Sequence, residues 1–545
     1  MRQKKRILKK TLVLGLAATF TAGVMTGCGS SSSSGTDASG AADSASETTT
    51  SDDGGKTLTF GCQNYGAGGI DPAVETNQAW NCMRYGIGQC LFQFDDTMQV
   101  QPWLCDSYEV SDDHKTWTFH IREGVKFSDG CDMTAQSVAD SFKRLFTDGE
   151  SGSSAPEKYL EKEAAITADD AAGTVTIVTQ TAYPDLTKNL AYPVMAIVDV
   201  ADTQDYAHGT IGTGPYVAKE YTEEVGYTLT ANENYWDGEV PYDSVELLYM
   251  GDASAKAMAL KSGQVDLVEN ITTVSDLEEL EADENYTVTI ANGVRCGFAY
   301  INQGGILGNK DLREAVIQAV DEKTMCETTV GGLYTYGFSV LPSNLAYNYD
   351  KLSNPFEYNQ EEAKAKLDAA GIVDSDGDGI RELDGENISL KFITYENRAL
   401  STFAEGTQQL LAEIGIGVEV NNMDSESEWN EMVNGNYDLC SSNWTTVGTG
   451  DPTEYLDNWY GKSTANYCGY ENEEYDKLYE QLLVELDDAK RTELITQMQQ
   501  VLVDDAAVLV HGYYNSSMIS SKAVANANIH TADYYWLTTE ITPAN

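Results

Sequence analysis

The chain is expected to fold as an α/β protein with mixed sheets, on three observations. Its second half alternates helical and strand patterns, and its first half carries several segments of period two. Roughly 490 residues follow position 55, enough for two or three domains with substantial cores. No internal repeat is visible.

The elements follow in order. Residues 56–60 alternate as a strand and lead into a Gly-rich loop at 61–69. Trp117, Phe119 and Ile121 alternate with Thr116, Thr118 and His120, so one face of that strand is apolar. Gly124 and Asp129-Gly130 mark turns. Thr134 can then cap a helix with Val138, Phe142, Leu145 and Phe146 on one side. Strand patterns return at 174–178, 227–230 and 245–249. A helix at 311–320 has Leu312, Val316 and Ala319 on one stripe, and another at 360–370 stops at Gly371. A third carries Phe403, Leu410, Leu411 and Ile414, closes at Gly415 and leads into a strand at 418–420. Two amphipathic helices at 475–486 and 491–503 precede a strand at 507–510.

The N-terminus sets the compartment. Arg2, Lys4, Lys5, Arg6, Lys9 and Lys10 precede an apolar run from 12 to 24 that is too short to span a bilayer comfortably. Small residues then lead to Cys28, as a lipoprotein signal peptidase requires. Residues 1–27 are read as the signal peptide and Cys28 as the lipidated first residue of the mature chain. The competing reading is an ordinary signal peptide that contains a cysteine. Residues 28–55 form a Ser/Gly/Thr-rich tether with too few apolar side chains to offset the entropy of ordering it. The expected location is extracytoplasmic, anchored to the membrane by Cys28.

Composition narrows the partners. Acidic residues number 86 against 34 basic ones, which excludes a phosphate backbone as partner. Nine cysteines follow Cys28, with no pair at zinc-finger spacing. Most are expected to be small buried apolar residues, tolerable in an organism living anaerobically. The five histidines are scattered, which argues against a metal site built by the protein itself. No cofactor is expected.

A family pattern then emerges. Residues 111–130, with Trp117-Thr118-Phe119-His120-Ile121-Arg122 and Val125-Lys126-Phe127-Ser128-Asp129-Gly130, resemble the signature region of the peptide/nickel class of ABC solute-binding proteins, family 5. Ile70-Asp71-Pro72, Gly212-Thr213-Gly214-Pro215-Tyr216, Asn234-Tyr235-Trp236, Leu260-Lys261-Ser262-Gly263-Gln264-Val265-Asp266, Leu312-Arg313-Glu314-Ala315 and Ala319-Val320-Asp321 agree, in order. The resemblance implies a two-lobed periplasmic-binding-protein fold of type II, cluster C like, with a cleft between lobes. It implies lobe 1 at 56–293 (with an extra subdomain), lobe 2 at 294–510 and a return to lobe 1 at 511–545. The crossings are expected near 294–301 and 510–514. The implied partners are a small-molecule or peptide ligand, ABC permease and ATPase subunits, and the membrane through the lipid. The protein is expected to be a monomer.

Two ligand classes compete. Peptide-binding members place an aspartate shortly after a tryptophan to hold the terminal amine. Here Val447 stands three residues past Trp444, and Asp451-Pro452 resembles a structural turn. A buried ammonium without a counter-ion is costly. The segments 84–92, 101–104 and 449–452 instead resemble the nickel and metallophore branch, which holds a chelator's carboxylates with arginines and its flat faces with aromatics. Arg84 and Arg295 are the candidate cations. Tyr65, Trp103, Tyr300, Trp444 and Tyr455 are candidate walls, and Asp451 completes the candidate set. Each aromatic has a competing reading as plain core. His511 near the second crossing reads as a structural histidine.

Motifs of other functions are incomplete. Asp374-Ser375-Asp376-Gly377-Asp378-Gly379 copies the start of a calcium loop, but its twelfth position is Gly385, where a bidentate Glu is required. A hydrolase is disfavoured: no Gly-x-Ser-x-Gly elbow or His-Glu-x-x-His helix occurs, and Gly461-Lys462-Ser463 lacks the upstream glycine of a P-loop. A lipid-anchored sensor of signal peptides is the alternative within the binding class.

Overall fold

In the computed structural model of the protein, residues 55–147, 155–200 and 205–544 are described. The expected leader, Cys28 and all of the tether but Gly55 lie outside them. Among the described residues no helix is long and apolar enough to cross a membrane.

One mixed sheet organises the chain. Three parallel strands, Leu267–Glu269, Thr57–Cys62 and Ser244–Tyr249, are extended antiparallel by Gly226–Ala231 and Tyr216–Thr222. A second parallel trio is Gly417–Met423, Ser389–Tyr395 and Leu439–Thr445. Two long antiparallel strands, Tyr286–Ile301 and Val508–Ser521, join the trios. Their register shifts between Ala291 and Arg295. Before the shift, residues 286–291 face 516–521, on the side where Val268 meets Ile519. Beyond it, residues 295–301 pair with both 508–514 and 439–445. Gly293 lies in the shift, where a Cβ would stand 2.0 Å from the carbonyl oxygen of Tyr514. Only glycine lets the two backbones close there.

The second long strand extends well past the expected 507–510. Twelve of its fourteen residues are buried, so no alternation between wet and dry faces marks it. Asn515, Ser516, Ser517 and Ser520 also interrupt its apolar run. Hydrogen bonds to strands on both sides make the element, and a local pattern cannot report them.

A separate antiparallel sheet takes the order Cys105–Val110, Thr116–Ile121, Thr174–Val178, Ala165–Asp169. Trp117, Phe119 and Ile121 are buried there, as their alternation requires. Helix Ala135–Thr147 adds Val138, Phe142 and Leu145 to the same core. Each such side chain contributes about 1.5–3 kcal/mol by leaving water. The Thr134 hydroxyl accepts from the Ser137 backbone N–H at 3.2 Å, the cap its position suggested.

The second trio carries the expected helices. Lys310–Gln318 starts at Asn309, whose side chain accepts from Leu312 N–H at 3.0 Å. Gln360–Ala369 ends before Gly371, which takes a left-handed φ of 76°. Leu312, Val316, Ala319, Phe403, Leu411 and Ile414 share one core with the strand residues Leu390 and Phe392. Helices Glu473–Leu482 and Asp488–Asp504 close a further, aromatic core around Phe298, Tyr300 and Trp459.

Eight of the nine described cysteines are buried with free thiols, and Cys131 alone is exposed. Burial pushes the Cys62, Cys82, Cys90 and Cys296 thiols up, which suits packing and not reactivity. His511 is fully buried, with Nδ1 2.8 Å from Glu322 Oε1 and its ring stacked on Phe403. In the acidic loop, Asp374 accepts from the backbone N–H groups of Gly377 and Gly379. The third carboxylate of the cluster, after Asp374 and Asp376, is Glu382 at the ninth position, which accepts from Ser375.

Candidate ligand-binding site

The two long strands carry the site at their register shift. Arg295 leaves the strand just past Gly293. Its Nη1 lies 3.5 Å from Asn443 Oδ1, and its guanidinium stands over the Trp80 ring at 5.4 Å. Asn443 donates through Nδ2 to the Tyr334 hydroxyl (3.1 Å), which donates to the Arg398 carbonyl oxygen (2.8 Å). This chain of contacts ties Arg295 to Arg398. Arg398 sits in the turn between strand Ser389–Tyr395 and helix Leu400–Ala412, with φ 46° followed by φ 56° at Ala399. Two successive left-handed non-glycine residues are strained backbone, held here at the carboxyl end of a parallel strand, where α/β sheets place ligands.

Charge at this point is unbalanced. Arg84 pairs with Asp533 at 2.8 Å and also donates through Nε to its carbonyl oxygen. Trp536 Nε1 donates to the other Asp533 oxygen, so that carboxylate is fully used. Among the described residues Arg295 and Arg398 have no carboxylate partner within ion-pair distance. Burial pushes Arg295 down to about 10, and the positive charges of Arg398 and Arg84 add to it. Asp533 offsets part of this charge without pairing to Arg295, and the Arg398 guanidinium lies over the Tyr514 ring at 5.4 Å, so a bound anion would meet two neighbouring cations that no carboxylate holds.

Aromatic rings line the same space. Arg84 lies under Trp536, Tyr65 and Trp80 at 4.6, 4.8 and 5.2 Å. A cavity of about 270 Å³ runs from Trp80, Tyr159 and Tyr192 on one wall to Arg295, Asn443 and Trp444 on the other. A larger one of about 700 Å³ shares Lys158, Tyr159, Trp444, Thr449, Asp451 and Glu454 with it. Lys158 and Glu454 pair across this opening at 2.9 Å.

The eight candidate residues separate into groups. Arg295 and Trp444 line the smaller cavity, and Tyr65 faces Arg84, with burial pushing its hydroxyl up to about 12. Arg84 is fully buried and locked to Asp533, so it braces the site while its Nη1 remains without a partner. Tyr455 is buried at the base of the Trp444 wall. Asp451 lines both cavities, but its carboxylate holds Arg491 at 2.8 Å and caps Thr453, as the Asp-Pro turn implied. Tyr300 is core: it is fully buried, and its hydroxyl donates to Asn458. Trp103 lies elsewhere, against Tyr535 in a different cavity.

Arg398, Trp80, Asp533, Tyr534 and Trp536 belong to the site and were missed. An arginine in the turn after an apolar strand, and three consecutive aromatics at 534–536, were the available signals. Neither declares itself without partner elements distant in the sequence, such as Tyr334, 64 residues before Arg398.

Comparisons with known proteins agree with this architecture. The family model described as bacterial extracellular solute-binding proteins, family 5 Middle, matches residues 99–467. A probable D,D-dipeptide-binding periplasmic protein, DdpA, of Escherichia coli strain K12 is 25% identical over 476 residues, covering 84% of this chain and 88% of its own. The structure of NikA from Staphylococcus aureus in complex with Ni(L-His)2 superposes with a TM-score of 0.73 at 22% identity, covering 90% of this chain and 100% of that one. NikA from Brucella suis in complex with Fe(III)-EDTA gives a TM-score of 0.80 at 20% identity, over 89% and 99% of the two chains. Such neighbours are two-lobed binding proteins, and the chain belongs to the bacterial extracellular solute-binding proteins of family 5.

Proposed function

We propose that this protein captures a small carboxylate-bearing solute between two lobes and presents it to an ABC importer. The observation that carries this reading is the pair Arg295 and Arg398, two neighbouring guanidiniums without a carboxylate partner among the described residues, of which Arg295 lines the cavity. Arginine's fork matches a carboxylate with two parallel hydrogen bonds. The buried carboxylates Asp533, Glu269 and Asp451 already pair with Arg84, Lys256 and Arg491. A metal ion wrapped by amino-acid carboxylates fits this balance best, and relatives named for nickel support it. The second reading is a peptide, favoured by the adjoining cavity of about 700 Å³ and by relatives named for dipeptides.

Capture works by differential contact. A ligand that touches both walls only when they meet shifts the population toward the closed form. In this reading 56–293 and 294–510 are the lobes and 511–545 the return, with the two long strands as the crossings. The chain is read as a monomeric binder held at the membrane by lipid on Cys28.

Thermal melts of the full chain separate the ligand classes. One arm holds mixed short peptides, another nickel alone, and a third nickel with histidine. A ligand at a hundred times its dissociation constant adds about 2.7 kcal/mol. Stabilisation by nickel with histidine alone is the expected result. Stabilisation by peptides alone would transfer the assignment to the second reading, and no stabilisation in any arm would overturn both.

A further inference from the structure

A second cavity, of about 380 Å³, lies apart from the cleft. All of its lining comes from segments 83–103, 215–237 and 528–540, with none from 294–510. Its size is within the range of small-molecule sites.

Three features define its chemistry. The first is charge. Asp95, Asp96, Asp237 and Glu540 line it, and no lysine or arginine does. Asp95 is consumed locally by Thr97, Gln99 and Gln101. Asp96, Asp237 and Glu540 form no ion pair among the described residues. Arg122 donates to the Trp103 carbonyl oxygen and stands over the Trp236 ring at 4.8 Å, outside the lining, and its charge is met by Asp106 at 2.9 Å. His530 adds no positive charge: burial holds its pKa below the usual range, its Nδ1 accepts from Ala532 N–H, and its Nε2 therefore donates to the Asp95 carbonyl oxygen.

The second feature is the wall. Trp103 and Tyr535 meet nearly at right angles, 83° with centroids 5.8 Å apart, and Tyr235 lines the cavity as well. Aromatic faces beside carboxylates attract organic cations, whose charge meets the ring quadrupole without a large loss of hydration.

The third feature is an orphaned donor. Gln89 is fully buried and lines the cavity. Its Oε1 accepts from Thr213 Oγ1 at 2.8 Å and from Trp236 Nε1 at 2.9 Å. An indole N–H can only donate, so the amide's orientation is fixed and Nε2 is left on the other side. That Nε2 makes no hydrogen bond of full geometry; the Tyr235 hydroxyl on the cavity wall is the group it approaches. A buried donor without an acceptor is costly, and a ligand that supplies one recovers the loss.

We propose that this cavity binds an organic ammonium ion that also carries a hydrogen-bond acceptor. The aromatic walls and acidic rim take the cation, and Gln89 Nε2 donates to the acceptor. The site is independent of the cleft, so the two readings stand or fall separately.

Choline is a suitable probe, because it joins a quaternary ammonium to a hydroxyl oxygen. Its control is the neutral analogue with carbon in place of nitrogen. Calorimetry on the full chain is expected to show choline binding at least about tenfold more tightly than the analogue. Asp96 and Asp237 are exposed, so the D96N/D237N double variant keeps its core. It should lose about tenfold in choline affinity, and Trp103→Leu should lose a similar amount. Arg398→Ala should bind choline as the unaltered chain does. Equal binding of choline and the analogue, unchanged affinity in the double variant, or no binding of choline would each overturn the assignment.

Discussion

The two cavities are walled by the same kinds of aromatic ring and differ in the charges set among them. In the cleft, Trp80, Trp444 and Tyr65 surround guanidiniums that outnumber their carboxylate. In the second cavity, Trp103, Tyr235 and Tyr535 stand among carboxylates with no lysine or arginine in the lining. Overall composition would not suggest the difference, since the whole chain has a net charge of −52. A strongly acidic protein that concentrates unpaired arginines at one point acts against its own average. The cleft therefore carries the more specific statement about function, because acidic lining is what chance would supply in this chain and unpaired arginine is not.

The comparison can be broken most forcefully at Arg84. It shields Asp533 at the cleft's base, so Arg84→Ala leaves a buried carboxylate unpaired. Urea unfolding should show a loss of about 3–5 kcal/mol. A loss below about 1 kcal/mol would mean that water reaches Asp533 and that the base is not sealed.

Arg398→Ala acts on the ligand instead. It should leave stability nearly unchanged and weaken a carboxylate ligand by about 2–4 kcal/mol, read by calorimetry. An unchanged affinity would remove Arg398 from the site.

Glu428 tests the principle behind the Arg84–Asp533 pair, that a buried carboxylate needs a cation. Its nearest partner is the Cys440 thiol, which donates to Oε1 at 2.7 Å. Burial pushes Glu428 up to about 7. Between its unfolded value of 4.5 and about 7 the folded state binds more protons, so stability falls as pH rises through that window. Glu428→Gln should remove a difference on the order of 2–3 kcal/mol between pH 5 and pH 8 in urea titrations. An identical pH profile in variant and parent would show that the carboxyl reaches water.

The smallest effect is expected at the mouth of the cleft. Lys158 and Glu454 are both half exposed, and their ion pair spans the opening. Lys158→Ala should alter stability by less than about 1 kcal/mol, yet speed ligand release a few-fold in stopped-flow traces. A slower release would show that the pair holds the cleft open.

Much of the fold was legible because it is local. The alternation of Trp117, Phe119 and Ile121 and the helix stop at Gly371 need only their neighbours. The long strands were not legible in full, since both of their edges are paired and most of their residues are buried. The site divided along the same line. Arg295 stood out beside an expected crossing, and Trp444 carried a family pattern. Arg398 and Asp533 gain meaning only when residues 84, 295, 398 and 533 meet. Tyr300 was misleading for a physical reason: an aromatic next to a crossing can turn into the core as readily as into the cleft, and here Asn458 and Trp459 claim it.

The most direct test of carboxylate capture compares two ligands that differ at one group. The full chain is titrated calorimetrically with nickel–histidine and with nickel–histidinamide, in which an amide replaces the carboxylate. If Arg295 and Arg398 hold carboxylate oxygens, the histidine complex binds at least about a hundredfold more tightly. Equal affinities for the two complexes would contradict the account, because the unpaired guanidiniums would then have no part in choosing the ligand.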